Sequence, residues 1–184
     1  MIFVVRYSDI PQFISGGHYA VDVGMSYLEA WIKTHNENGQ RVNIDPDFQR
    51  CHVWTMGQQI KFVEYLLKGG VSSRTLYWNH PTWMSVKVRQ KIDLPEELTL
   101  VDGKQRLQAV RLFLSNAIPA FGHYRGEFED TLSFLVGSLR MQVNNLNTRK
   151  ELLQWYLDLN DGGVAHTPKE IAKVRKLLEA EEGK

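Results

Sequence analysis

The chain has 184 residues, 43% of them hydrophobic, with a formal net charge of +1 and one cysteine, Cys51. This length supports one well-buried core, so one domain over 1–184 is expected, with 148–184 as a helical segment packed on it. Near-neutral charge excludes a broad attraction to nucleic acid or anionic membrane, the lone cysteine excludes a disulfide framework, and no run approaches the ~20 apolar residues of a membrane helix.

In chain order, Ile2 to Arg6 reads as a short strand. Ser26 with Glu29 has capping-box spacing, and Leu28, Trp31 and Ile32 then repeat at helical intervals. The segment Asn43 to Trp54 has little periodicity and reads as a loop presenting polar groups. It ends at a second capping box, Thr55 with Gln58, which opens a helix carrying Ile60, Val63, Leu66 and Leu67. Strands are expected at Thr75 to Trp78 and Leu98 to Val101. An Asp102-Gly103 turn follows, and a helix carries Leu107, Val110, Leu112, Phe113 and Leu114 until Asn116 and Pro119 close it. Glu127, Glu129 and Asp130 read as a solvated loop. A strand at Arg140 to Leu146 leads to a third capping box, Thr148 with Glu151, and a helix with Leu152, Leu153, Tyr156 and Leu157. A Gly162-Gly163 turn joins it to a last helix, capped by Thr167 with Glu170 and started by Pro168, whose mixed charges read as a solvated face. Strands and helices that alternate irregularly argue for an α+β fold.

Chemistry concentrates at three loops. The run Leu98 to Leu107 is a strand, a tight turn and a helix start, and a helix N-terminus offers unpaired N–H groups and a positive dipole end to a phosphate. Lys104 and Arg106 would add two cations there, and Asp102 a carboxylate for a metal ion or a base. In the second loop, Arg50 can make paired hydrogen bonds to phosphate, Gln49 can read a base or ribose edge, and Trp54 offers a stacking face. In the third, Asn160 and the Thr167 helix start can present polar groups, beside their plainer roles as helix caps. No P-loop, G-x-G-x-x-G, H-E-x-x-H or G-x-S-x-G pattern is present, and the six histidines have no ligand spacing.

Taken together, Pro46-Asp47-Phe48-Gln49-Arg50 with Trp54, then Val101 to Leu107, then Leu159-Asn160 with Gly162-Gly163 and a Thr-initiated helix, resemble the DUF262 family. These are ParB/sulfiredoxin-like domains marked by a D-G-Q-Q-R signature and found at the N-terminus of GmrSD-type restriction proteins. The chain is also similar to compact stand-alone versions of phages and prophages. The resemblance implies a ParB/sulfiredoxin-like core, a small mixed sheet with surrounding helices, whose signature turn faces a nucleotide's phosphates. It implies NTP binding, with slow NTP hydrolysis as a further expectation, linked to nucleic-acid processing or phage–host defence in the cytoplasm of a bacterial or infected cell.

Asp102, Gly103, Gln105 and Arg106 match the signature, and Gln49 and Arg50 the upstream Q-R. On this reading Asp102, Gln105 and Arg106 are the catalytic candidates. Gln49, Arg50, Trp54, Gly103, Lys104, Asn160 and Thr167 hold the nucleotide, and Asp102 ligates Mg²⁺. Lys104 stands where the signature has glutamine, which favours phosphate binding over positioning of water. The chain ends at Lys184, so the His-Asn-His nuclease domain of GmrSD-type proteins is expected to be absent. The alternative is a catalytically silent module that binds DNA, a nuclease or a host protein. Redox chemistry through Cys51 is disfavoured because the signature turn holds no cysteine.

Overall fold

A computed structural model describes residues 13–14, 17, 19–37, 41–49, 53–83, 92–129, 137–160 and 168–182. It is an α+β fold. The chain runs through β1 (Tyr19–Gly24), α1 (Leu28–Glu37), β2 (Arg41–Asn43), α2 (Met56–Leu67), β3 (Thr75–Asn79), β4 (Glu97–Asp102), α3 (Lys104–Leu114), β5 (Ser138–Asn144), α4 (Arg149–Asn160) and α5 (Pro168–Glu182). The strands form one mixed sheet in the order β1-β5-β3-β4-β2. Pairing is antiparallel at β1/β5 and β3/β4 and parallel at β5/β3 and β4/β2.

Alternation along the strands divides the apolar residues between two cores. Leu76, Trp78, Leu98, Leu100, Leu139, Met141 and Val143 face α1, α2 and α3 and meet Leu28, Ile32, Val63, Leu66, Val110 and Phe113. On the other face Val101 and Tyr77 meet Leu152, Leu153, Trp155 and Tyr156 of α4, with Val174 of α5 behind them. Beyond that second layer, Ala20 and Asp22 of β1 and Arg140 of β5 are exposed.

Local signals in the sequence account for several helix ends. Thr55 accepts from Gln58 N–H while the Gln58 side chain accepts from Thr55 N–H at 2.8 Å. Thr148 and Glu151 repeat the arrangement, at 3.1 Å and 3.3 Å. Helix α3 stops at Ser115, and Asn116 takes a left-handed conformation, φ 58°, that asparagine tolerates better than most residues.

Ser26 does not cap α1. A 3-10 turn at Met25–Tyr27 already precedes the helix and is entered from Gly24 without a side-chain cap. Glu29, the other half of the expected box, instead holds Arg111 of α3 through Nε at 2.5 Å and Nη2 at 3.1 Å. Tertiary pairing has taken the residue the cap required.

The structure adds two strands to those the sequence pattern predicts. β1 does alternate, with Tyr19, Val21 and Val23 inward and Ala20 and Asp22 outward. β2 has three residues and owes its existence to the parallel register with Glu97, Leu98 and Thr99. Asn43 is therefore the end of a strand rather than the start of the loop. The strand expected at Ile2 to Arg6 lies outside the described residues.

Candidate functional site

The signature residues lie where β4 ends and α3 begins. Gly103 makes the junction, at φ 109° in the left-handed region. A Cβ there would stand 2.5 Å from Leu76 Cδ2 and 3.2 Å from Leu76 Cα, so both the dihedral and the close approach of β3 require glycine. As the residue before the helix it contributes no side-chain acceptor to the first-turn N–H groups. Parallel β2 ends beside Thr99, three residues before the end of β4.

Three consecutive side chains of the first turn have different partners. Lys104 Nζ lies 2.5 Å from Asp45 Oδ1. Arg106 pairs one turn back with Asp102, and a second guanidinium nitrogen donates to the Ser73 carbonyl at 3.3 Å. Gln105 points inward and is only 7% exposed; its Oε1 accepts from Val53 N–H at 3.0 Å and Trp54 N–H at 3.1 Å. Two positive groups thus stand at a helix N-terminus, where the dipole already favours an anion. Each has a carboxylate partner among the described residues.

The polar loop of the sequence reading crosses this helix start as a strap. Asp45 N–H donates to Asn43 Oδ1 at 3.1 Å, turning the chain out of β2. Asp47 accepts from Arg149 of α4 at 2.6 Å, and its carbonyl accepts from Lys173 of α5 at 2.5 Å. Phe48 is buried against Tyr156, edge to face, with centroids 5.3 Å apart. Gln49 Nε2 donates to the Leu100 carbonyl, and its Oε1 is buried with no partner among the described residues. Trp54 packs edge to face on Phe62 at 5.4 Å and is partly buried in the main core.

The structure therefore brings together Gln49, Trp54, Asp102, Gly103, Lys104, Gln105 and Arg106. Gln105 and Gln49 bond to backbone groups, so they position strap and strand. Asn160 is not brought to this cluster. It ends α4, about 16 Å along the helix axis from Arg149, and donates to the Tyr156 carbonyl at 2.6 Å. There it borders a groove of about 470 Å³ between α4 and α5. Arg50 and Thr167 lie outside the described residues.

Asp45 and Arg149 had not been singled out. The spacing of Asn43 and Asp45 fits a side-chain turn, but nothing local says that Asp45 would meet a lysine 59 residues on. A third charged group lies across the neighbouring strands. Asp22 is held by Arg140 Nε at 2.9 Å and Arg74 Nη2 at 2.7 Å. The Arg140 hydrogen bond, reinforced by Arg74, lowers the Asp22 carboxyl below its usual range against the opposing effect of burial, and the same bond raises Arg140.

Among the described residues no three His, Cys, Asp or Glu side chains gather as a metal cage. The Asp102 carboxylate is a hard oxygen donor at the helix start, of the kind that holds Mg²⁺ when phosphates and water complete the ion's shell.

A family model described as the N-terminal domain of the GmrSD restriction endonuclease matches residues 31–134, more than half of the chain. That span holds the strap, β4 and the whole of α3. No curated protein and no solved structure matches.

Proposed function

The chain belongs to the family of GmrSD restriction endonuclease N-terminal domains, and on that premise we propose that it binds a nucleoside triphosphate with Mg²⁺ where β4 runs into α3. The observation that carries the reading is the first turn of α3. Lys104 and Arg106 stand at a helix N-terminus behind a left-handed Gly103, and each is held by a carboxylate that a phosphate can replace. The planar guanidinium of Arg106 suits two oxygens of one phosphate, and the Lys104 ammonium acts as a point charge. Asp102 would hold Mg²⁺ with the phosphates, and the ion would neutralise charge on them.

Binding is the core of this reading, and hydrolysis is its extension. Gln105, the amide nearest the cations in the sequence, is turned inward on the strap and is a positioning residue. Asp102 is then the acceptor left to orient a water molecule. Slow turnover follows from a single carboxylate that must also serve the metal.

Thermal unfolding with ATP, GTP, CTP and UTP, each with and without Mg²⁺, tests the reading. A nucleotide at 100 times its Kd stabilises a fold by about 2.7 kcal/mol, or roughly 5–10 °C at this chain length. One nucleotide should give such a shift in the wild type, and Arg106→Ala and Lys104→Ala should abolish or sharply reduce it. No shift with any nucleotide would refute the reading. Duplex DNA binding that weakens by about 0.9 log unit per log salt for each phosphate contacted would then favour a silent binding module.

A further inference from the structure

Before any ligand arrives, the Lys104 ammonium is in contact with Asp45, whose carboxylate is placed there by the strap. The chain turns at Asn43, which fixes the Asp45 backbone at 3.1 Å. Two residues on, Asp47 is tied to Arg149 at 2.6 Å and to Lys173 at 2.5 Å, and Phe48 is buried under Tyr156. Asp45 is thus delivered from an anchored segment rather than from a loose loop.

Its own side chain is 72% exposed, against 24% for Lys104, so the pair sits at the rim with its carboxylate open to water. An ion pair of this kind is worth a factor of about two to five in an equilibrium constant. That is strong enough to bias an ammonium and weak enough to be exchanged for a phosphate. Arg106 differs: it is one turn from Asp102 on the same helix junction and also donates to the Ser73 carbonyl.

Resting on the nucleotide reading above, we propose that Asp45 is a built-in competitor of the ligand. It occupies Lys104 in the free protein and must be displaced when phosphates bind, so it sets the affinity threshold of the site. A phosphate chain replaces one carboxylate with several charged oxygens and displaces Asp45 readily. A singly charged anion gains little by the exchange. No bond is made or broken; one ion pair is traded for another.

The test is a titration of wild type, Asp45→Asn, Lys104→Gln and the double variant with ATP, GTP, CTP and UTP at low ionic strength. Asp45→Asn should bind the preferred nucleotide about two- to fivefold more tightly than wild type. Lys104→Gln should bind more weakly, and adding Asp45→Asn to it should change nothing further, because Asp45 acts through Lys104. Unchanged or weaker binding by Asp45→Asn, with wild type still binding, would overturn the competitor and leave the nucleotide site standing. A gain that persists in the Lys104→Gln background would overturn it too, since general charge removal would then explain the effect. No binding by any of the four proteins would refute both readings, and Asp45–Lys104 would be a surface ion pair only.

Discussion

Replacing Gln105 by leucine removes one buried acceptor that serves two backbone donors. Leucine fills nearly the same volume, so the change removes the amide's hydrogen bonds, among them those that Val53 N–H and Trp54 N–H donate to Oε1 at 3.0 Å and 3.1 Å. Gln105 is 7% exposed, so little water can enter to replace the lost oxygen. A buried donor left without a partner costs about 1–3 kcal/mol. Val53 is exposed, and its N–H recovers part of that loss from solvent. The expected total is therefore about 2–4 kcal/mol, or roughly 4–16 °C in Tm. Differential scanning calorimetry reads the stability. Limited proteolysis reads the strap, which should be cut between residues 45 and 54 sooner than in wild type. Gln105→Glu keeps an acceptor for both N–H groups and should lose less than the leucine variant. A leucine variant within about 0.5 kcal/mol of wild type would refute the assignment of Gln105 as the clamp.

Two further outcomes follow from single positions. Gly103→Ala puts a Cβ 2.5 Å from Leu76 Cδ2 at φ 109°, so urea unfolding should show a loss of about 2 kcal/mol or more; Gly57→Ala, in open space on α2, should be neutral or slightly stabilising, and equal midpoints for the two variants would contradict the steric argument. Burial lowers the His80 imidazole below its ordinary 6.5, against a nearby Glu96 that opposes the shift, so the unfolded chain takes up the proton more readily than the folded one. His80 stability is then full above pH 6.5 and falls as pH drops through 6.5 toward the lower folded value, and a Tm profile from pH 5 to 7.5 should flatten in His80→Gln; parallel profiles would reject the reading.

The buried side of His80 shows how far residue-level reading reaches. No histidine in this sequence has ligand spacing, and nothing local marks His80 as buried. Here it is 4% exposed beside Trp83, and its Nε2 has no hydrogen-bond partner among the described residues. Trp78 Nε1 and Trp83 Nε1 are likewise without a partner among the described residues, and Tyr19, Trp31 and His35 pack around them. These rings come from β1, α1, β3 and the turn after β3, and their separation along the chain hides the cluster from any local pattern.

Most of what could be read from the sequence alone is governed by neighbours a few residues apart, although the Ser26–Glu29 spacing misleads and the alternation of β1 goes unread. The capping boxes at Thr55 and Thr148, the apolar stripes of α2 and α4, the strands at β3 and β4 and the glycine turn before α3 all rest on interactions within one turn or one pleat. The family was legible for the same reason, because its motifs are short and contiguous, and the matched span 31–134 contains two of the three motifs quoted for it. Tertiary packing alone chose the partner of each charge and amide. Lys104 meets Asp45 across 59 residues, Gln105 holds a backbone 51 and 52 residues away, Arg149 reaches Asp47 across 102, and Glu29 leaves its cap for Arg111 across 82. Coulomb attraction and hydrogen bonding act between whichever groups the packed sheet brings within a few ångströms, and sequence distance does not enter that choice.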